Sequence, residues 1–249
     1  MEHGIYSAFA RVYDDFMALP YGDWAGLIRL LWQKHGFRPH SLLDLACGTG
    51  GLMQVFSQRG LDCIGIDKSP EMLAMARLKD RQSEGLYLCQ DMRSFELYGT
   101  VDAVVCMCNS INYILDDDEL VDVFKLVQNY LNPDGMFIFD INTEYLYRDV
   151  MADNVFSESM DSGAYIWQNN YFEDDKINQY NLELFIKEQG GLYSRHSELH
   201  LQRAYSLAEV KATLAAAKLD FLGAYAEPLE LVTDEGRHEK LYICSRKGV

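Results

Sequence analysis

Short apolar runs alternate with amphipathic segments along much of the chain. Apolar runs bounded by glycine, proline or aspartate are typical of buried strands, and apolar residues three to four positions apart are typical of one helix face. Strands that alternate with helices indicate a mostly parallel, doubly wound α/β sheet. The predicted strands are 41–46, 62–66, 86–90, 101–107, 135–141, 220–226 and 239–246, and the predicted helices are 51–59, 70–80, 117–131 and 206–218.

Two segments depart from this alternation. The amino-terminal segment carries apolar residues at helical spacing from residue 4 to 36, which predicts a helical cap. Pro20, Tyr21 and Gly22 divide it into two helical segments. A later segment alternates with period two and predicts an antiparallel β insertion, with turns at Asp174 and Asp175 and at Gly190 and Gly191. Such an insertion could form a substrate lid or a dimer surface. The predicted domains are 1–36 for the cap, 37–145 and 205–249 for the α/β domain, and 146–204 for the insertion.

The most informative motif lies where the first predicted strand ends. Residues 42–51 read LLDLACGTGG, and Asp67 ends the second predicted strand about twenty residues later. A strand, a glycine turn, a helix and a second strand that ends in an acid hold a nucleotide-type ligand at the carboxyl edge of a parallel sheet. No P-loop lysine follows, so a nucleoside triphosphate is disfavoured. The alternative is an ordinary strand–helix turn that needs positive φ.

The composition of the chain limits the classes of partner and metal site that it can be expected to have. The formal charge of −16 and the lack of a Lys/Arg cluster argue against a nucleic-acid partner. The six cysteines form no CxxC pair, so the sequence predicts no metal site and indicates reduced thiols in the cytoplasm. No apolar run approaches membrane-spanning length, and the first residues do not resemble a signal peptide.

Four motifs together resemble those of the class I S-adenosylmethionine-dependent methyltransferases. Residues 42–50 resemble the first motif with alanine in place of its first glycine, and residues 64–73, IGIDKSPEML, resemble the second. Residues 89–92 and 101–114 resemble the third and fourth. The resemblance runs in order over about residues 40–141. It implies a Rossmann-like, seven-stranded, mostly parallel sheet and S-adenosylmethionine as the cofactor.

The resemblance also implies roles for individual residues. The glycine loop would let the backbone approach the amino-acid part of the cofactor, and Asp67 would accept both ribose hydroxyls. Asp91 would bond the adenine amino group, beside the backbone N–H of Met92. The alternatives are a helix cap for Asp67, a turn carboxylate for Asp91 and a core position for Met72. The predicted cofactor-binding residues are Tyr13, Asp44, Ala46, Cys47, Gly48, Gly50, Asp67, Lys68, Met72, Asp91, Met92 and Cys108.

The acceptor is expected beside the fourth motif. Methyltransferases that act on nucleobase amines carry a [DNS]PP[YF] motif there, whereas this chain reads NSINY at residues 109–113. The missing prolines argue against base methylation, and the motif is closer to that of glycine/sarcosine N-methyltransferases. The predicted substrate-side residues are Asn109, Tyr113, Asn142 and Trp167.

The sequence leaves the roles of several other side chains open. Tyr6, Phe9 and Tyr13 could wall the site from the cap, or pack as a core helix face. His196 and His200 lie on one face of a predicted strand and could be a base or metal ligands, but ordinary strand histidines are commoner. The catalytic residue stays unknown.

These observations predict direct methyl transfer from S-adenosylmethionine to a nitrogen or oxygen of a small molecule. One alternative is an NAD(P)-dependent oxidoreductase, although Met53 replaces the third glycine of the dinucleotide motif. The other is a non-catalytic S-adenosylmethionine-binding protein with a regulatory or assembly role. The expected partner is a small-molecule acceptor, without nucleic acid or membrane, and a homodimer is left open.

Overall fold

A computed structural model of the chain describes residues 9–80 and 85–248. The sequence forms six α-helices and twelve strands within these residues. The helices are α1 (Tyr13–Met17), α2 (Tyr21–Lys34), α3 (Gly51–Ser57), α4 (Pro70–Lys79), α5 (Asp117–Tyr130) and α6 (Leu207–Ala216). The strands are β1 (Ser41–Leu45), β2 (Asp62–Asp67), β3 (Leu86–Cys89), β4 (Val101–Cys106), β5 (Leu131–Asn142), β6 (Val155–Met160), β7 (Gly163–Phe172), β8 (Ile177–Lys187), β9 (Tyr193–Arg203), β10 (Leu219–Ala226), β11 (Glu230–Val232) and β12 (Lys240–Lys247).

The main sheet has the strand order β11-β10-β12-β5-β4-β1-β2-β3. Strands β1 to β5 pair in parallel, whereas β12 runs antiparallel to β5 and β10. The predicted mostly parallel, doubly wound sheet is therefore confirmed. The predicted count of seven strands was too low by one, because the short strand β11 pairs antiparallel with β10 at the edge.

Local sequence explains where the helices begin. Ser69 accepts a hydrogen bond from the backbone N–H of Met72, and Pro70 follows at the first helical position of α4. Helix α6 begins with a capping box between Ser206 and Glu209. These caps satisfy N–H groups that lack partners inside the helix.

Helices cover both faces of the main sheet. On one face, Phe124 of α5 packs against Phe137 and Phe139 of β5. On the other face, Trp32 of α2 packs against Phe56 of α3. A parallel sheet is stable only when both faces are covered, so these two cores hold the strand ends in place.

The antiparallel insertion forms a sheet of its own, in the order β6-β7-β8-β9. Its turns follow Phe172 and Lys187, as the two pairs of turn residues predict. Strand β6 was not predicted. A third apolar cluster joins the insertion to the cap, with Phe9, Val12 and Phe16 against Leu182, Leu184 and Ile186.

The cap divides into two segments near Pro20, as the sequence predicts, and the first of them is the less regular. The cap consists of a 3-10 turn at Phe9–Arg11, the short helix α1 and the longer helix α2. Helix α1 ends at Ala18, whose left-handed backbone (φ 43°) stops the helix before Pro20. Tyr6 lies outside the described residues.

Candidate active site

A cleft runs along the carboxyl edge of the main sheet, where the parallel strands β1, β2 and β4 end side by side. It encloses about 1130 Å³, including the part that is open to solvent. All the predicted cofactor-binding residues line it except Gly50; those that line it are Tyr13, Asp44, Ala46, Cys47, Gly48, Asp67, Lys68, Met72, Asp91, Met92 and Cys108. The fold thus brings together residues from the cap, the strand ends and the intervening loops.

Two glycines of the loop after β1 have different surroundings, open at Gly48 and closely packed at Gly50. Gly48 has φ 54°, and an added Cβ would meet no atom within 4 Å. Gly50 has φ 74°, and an added Cβ would lie 3.1 Å from the Cβ of Ala76 and from the ring of Tyr87. Gly50 therefore lets the start of α3 pack closely against Ala76 of α4 and Tyr87 of β3. Its contact with the cofactor stays a prediction.

Asp67 links the two loops at the floor of the cleft. Its Oδ2 accepts from the backbone N–H of Gly48 at 2.8 Å, and its Oδ1 accepts from that of Ser69 at 2.8 Å. Burial raises the pKa of Asp67, while the two backbone hydrogen bonds oppose that shift. Ser69 itself caps α4, so the carboxylate of Asp67 orients the loop while Ser69 starts the helix.

Asp44 is a buried carboxylate that the described residues leave partly unsatisfied. The residue is 3% exposed, and its Oδ2 has no hydrogen-bond partner within the described part of the chain. Burial, with a smaller contribution from the charge of Asp67, raises the pKa of Asp44 to about 7. A buried acceptor of this kind is costly unless a ligand supplies the missing donor.

Asp91 lies in the cleft, but its carboxylate is engaged by Arg93. The Arg93 Nη2 donates to Asp91 Oδ2 at 2.7 Å, and Arg93 also reaches Glu119 at 3.1 Å. The hydrogen bonds from Arg93 lower the pKa of Asp91. Arg93 itself lines the cleft and was not predicted as a site residue.

The cap is tied to the glycine loop through Asp14. Its Oδ1 accepts from the hydroxyl of Thr49 at 2.7 Å and from that of Tyr21 at 3.1 Å. Lys79 of α4 forms an ion pair with the other oxygen. Tyr13, the residue before Asp14, lines the cleft, and its hydroxyl lies 3.6 Å from the Sγ of Cys108.

A second cavity of about 620 Å³, again including space open to solvent, lies between the cap, the loop after β4 and the insertion. All the predicted substrate-side residues line it: Asn109, Tyr113, Asn142 and Trp167. Phe9 lines it as well, so the cap residue weighed from the sequence faces this cavity. Three residues, Tyr13, Cys108 and Tyr113, line both cavities, so the two spaces meet there.

Buried polar contacts fix the loop after β4. Cys108 and Asn109 have positive φ values of 63° and 50°. The backbone N–H of Asn109 donates to Oδ1 of the fully buried Asp140 at 2.7 Å, and Asp140 also pairs with Lys240. The side chain of Asn112 donates to the backbone oxygens of Asn142 and Arg203, which joins this loop to β5 and β9.

Several residues at the two cavities were missed or left unassigned by the sequence. Tyr21 and Trp24 wall the first cavity from α2, and Tyr180, His200 and Gln202 wall the second from the insertion. Of the two histidines weighed, His200 lies in the second cavity, whereas His196 bonds Ser194 away from it.

The comparisons with known proteins match this architecture. Residues 42–135 match a family described as a methyltransferase domain. YqeM of Bacillus subtilis (strain 168), a protein named as a methyltransferase, is 34% identical over 84% of this chain and 84% of its own length. This chain belongs to the class I S-adenosylmethionine-dependent methyltransferases.

Two further relatives extend the match. A crystal structure of an S-adenosylmethionine-dependent methyltransferase from Clostridium acetobutylicum ATCC 824 superimposes with a TM-score of 0.86 at 28% identity, over 99% of this chain and 100% of that one. A glycine/sarcosine N-methyltransferase of Parasynechococcus marenigrum (strain WH8102) is 31% identical over 48% of this chain and 42% of its own length. The family predicted from the motifs, its Rossmann-like fold and its cofactor are thereby confirmed.

The residues of this methyltransferase fit its cofactor. The unpartnered buried oxygen of Asp44 suits the ammonium of the methionine part, and the open space at Gly48 admits a ligand close to the backbone. The carboxylate of Asp67 retains lone pairs beyond the two backbone contacts and suits hydroxyl donors. These assignments to individual residues remain predictions.

Within residues 9–80 and 85–248, no set of three or more His, Cys, Asp or Glu side chains is arranged to hold a metal ion. No helix in the same ranges has the length and apolar character needed to cross a membrane.

Proposed function

We propose that this methyltransferase transfers a methyl group from S-adenosylmethionine to an amine or hydroxyl group of a small molecule. The observation that carries the proposal is the junction of two cavities at Tyr13, Cys108 and Tyr113. The first cavity, at the strand ends, would hold the cofactor. The second would hold the acceptor, so that its nucleophile meets the methyl group at the junction.

The lining of the second cavity supports an acceptor without phosphate or carboxylate groups. Within the described residues, its lining is aromatic, aliphatic, amide, thiol and imidazole and includes no Lys, Arg, Asp or Glu. An anionic acceptor would lose its hydration without gaining a cationic partner. Aromatic walls such as Trp167 and Tyr165 instead suit apolar surface or a cation.

The cofactor supplies an electrophilic methyl group on a sulfonium when it is bound. The contribution of the chain is to bind, orient and exclude water. Asp44 would pair with the ammonium group, Asp67 would accept the ribose hydroxyls, and Asp91 with Arg93 would face the adenine end. Alignment of this kind can contribute effective molarities of roughly 10⁵–10⁸ M, which explains why no covalent nucleophile is needed.

The β insertion would act as a lid. Its Trp167, Tyr180 and Leu182 line the acceptor cavity from above, and its apolar side chains pack on the cap. The outer surface also exposes apolar side chains, such as Val155 at 61% and Phe172 at 48%. A homodimer through that surface is a further expectation, which sedimentation velocity would test. The reaction would take place in the cytoplasm, where the six free cysteines stay reduced.

The test compares cofactor binding with methyl transfer. S-adenosylhomocysteine, and not NAD, should raise the melting temperature of the protein. The protein should then move label from [methyl-¹⁴C]S-adenosylmethionine into the deproteinised small-molecule fraction of a bacterial extract. Stabilisation by NAD alone, or binding of S-adenosylhomocysteine without any transfer of label, would refute the proposal.

A pair of variants tests whether the acceptor binds in the second cavity. Trp167→Ala removes an aromatic wall of the second cavity, so transfer should fall about tenfold or more while the Kd for S-adenosylhomocysteine stays within about twofold. Phe172→Ala is the matched control, because this aromatic residue of the same strand is half exposed and lines neither cavity. Equal transfer by the two variants would contradict the placement of the acceptor.

A further inference from the structure

A chain of buried polar side chains ends at the junction of the two cavities. The hydroxyl of Tyr113 lies 2.9 Å from Nδ1 of His200 and 2.5 Å from the hydroxyl of Tyr180. On its other side, Nε2 of His200 lies 3.1 Å from Oε2 of Glu198. His200 is 1% exposed and Glu198 is 9% exposed, so this chain lies inside the insertion, away from water.

We propose that Tyr113, His200 and Glu198 form a proton relay that takes the proton of the acceptor. The inference rests on the proposed function, since it assigns a catalytic role within the acceptor cavity. Tyr113 and His200 line that cavity and would act as catalytic residues. Glu198 acts through His200 and is a positioning residue.

The hydrogen-bond pattern sets the direction of the relay. A carboxylate only accepts, so Nε2 of His200 carries the proton that bonds Glu198, and Nδ1 is left as the acceptor. Nδ1 then accepts from the hydroxyl of Tyr113, which in turn accepts from the hydroxyl of Tyr180. Tyr113 lines both cavities, so the relay reaches the place where the acceptor would meet the methyl group.

The ring contacts keep these groups in place. Tyr180 stacks on His200 with ring centroids 4.7 Å apart and an interplanar angle of 13°, and Trp167 packs on the other side of Tyr180 at 4.4 Å. Burial raises the pKa of Tyr180 well above its ordinary value, so its hydroxyl stays a donor. Strands β8 and β9 set this geometry, because Tyr180 and His200 are direct partners in their register.

The proton balance follows from this arrangement. An N–H bond of an ammonium acceptor breaks, its proton passes to the oxygen of Tyr113, and the hydroxyl proton of Tyr113 passes to Nδ1 of His200. The resulting imidazolium is stabilised by Glu198. The freed nitrogen lone pair forms the bond to the methyl carbon, whose bond to sulfur breaks with its electron pair left on sulfur. A hydroxyl acceptor would lose its proton by the same route.

The first test reads the tautomer and needs no acceptor. The full chain, labelled with ¹⁵N-histidine and saturated with S-adenosylhomocysteine, should show His200 with a protonated Nε2 and an unprotonated Nδ1. His200→Asn assigns the signal among the six histidines. Tyr113→Phe and Glu198→Gln should each shift it, whereas His196→Asn should not. A protonated Nδ1 would overturn the relay, because that nitrogen could then no longer accept.

The second test measures methyl transfer into the same deproteinised extract. General acid–base catalysis is worth about 10²–10⁴-fold, so His200→Asn and Tyr113→Phe should each lower the rate about 100-fold or more. Their Kd values for S-adenosylhomocysteine should stay within about twofold, which shows that the variants fold. His196→Asn, the matched control on the same strand, should keep the wild-type rate. An unchanged rate in His200→Asn would overturn the relay.

The two tests separate the relay from the function on which it rests. If the wild-type protein binds S-adenosylhomocysteine but moves no label, the proposed function fails, whatever the tautomer. If the wild-type protein moves label and His200→Asn does so equally well, only the relay fails. Glu198→Gln keeps the shape of the side chain and serves as the second variant where His200→Asn does not fold.

Discussion

Replacement of Asp44 by asparagine should stabilise the cofactor-free protein and weaken its binding of S-adenosylhomocysteine. Burial raises the pKa of this carboxyl from 3.8 to about 7, and its Oδ2 has no partner within the described residues. A shift of about three units, at about 1.4 kcal/mol per unit, means that ionised Asp44 destabilises the folded state by roughly 4 kcal/mol. The neutral amide of asparagine does not carry this cost.

The sign of the pH dependence follows from the same shift. Between pH 3.8 and about 7 the folded state holds a proton that the unfolded state has lost, so the free energy of unfolding falls as the pH rises. The cost is complete above pH 7. Urea unfolding at pH 8 should therefore show Asp44→Asn to be more stable by up to roughly 4 kcal/mol, and at pH 5.5 by about half as much.

Binding should change in the opposite direction. If only ionised Asp44 holds the ammonium group, protonation competes with the ligand, and the wild-type Kd should rise roughly tenfold between pH 8 and pH 6. Asp44→Asn should bind S-adenosylhomocysteine about 10- to 100-fold more weakly at pH 8, since a charge-assisted hydrogen bond is lost, and should show a flat profile. Calorimetric titration measures both.

The matched control is Asp62→Asn, which makes the same chemical change at the exposed start of β2. It should change neither the free energy of unfolding at pH 8 and pH 5.5 nor the Kd for S-adenosylhomocysteine. The reasoning is refuted if Asp44→Asn lowers the free energy of unfolding at pH 8, or if it binds S-adenosylhomocysteine as tightly as the wild-type protein does.

Two other variants test neighbouring parts of the cleft. Asp67→Ala removes the proposed ribose contact and leaves the N–H groups of Gly48 and Ser69 without their acceptor. The Kd for S-adenosylhomocysteine should therefore rise by about 100-fold or more. An unchanged Kd in calorimetry would contradict the ribose assignment. Gly50→Ala should lower the free energy of unfolding by about 2–4 kcal/mol, from the left-handed backbone and from overpacking at 3.1 Å. Gly60→Ala, with φ 85° and open space around the added Cβ, should cost only about 1–2 kcal/mol in the same urea titration.

The α/β framework could be predicted because its signals are local. An apolar run predicts a buried strand, and a serine followed by proline predicts the start of α4 at Pro70. The strands that were missed have weak local signals. The segment Val155–Met160 is mostly exposed, and Glu230–Val232 is only three residues long. Both become strands because a neighbour pairs with them, through β7 and β10 respectively.

The residues of the first and second cavities also differ in how well the sequence predicts them. Asp44 and Asp67 could be predicted because each is at or beside a strand end, and parallel strands end at one edge. His200 could not be distinguished from His196 by period two alone, because both lie on the same face of β9. The two histidines differ in their position along β9, because the part of the strand with His200 lines the second cavity and the part with His196 does not. That placement depends on how the insertion packs on the cap.

On the proposed function, cofactor and acceptor are bound by different parts of the sequence. The segment that matches the methyltransferase-domain family, residues 42–135, supplies Asp44, Asp67 and Asp91 at the cofactor cleft. The cap and the insertion lie outside that match and supply most of the lining of the second cavity. Asp14 ties the cap to the glycine loop, and Phe16 packs on the insertion, so the cap connects the two cavities. If the second cavity holds the acceptor, changes in the cap or insertion should alter the acceptor while the first cavity is kept.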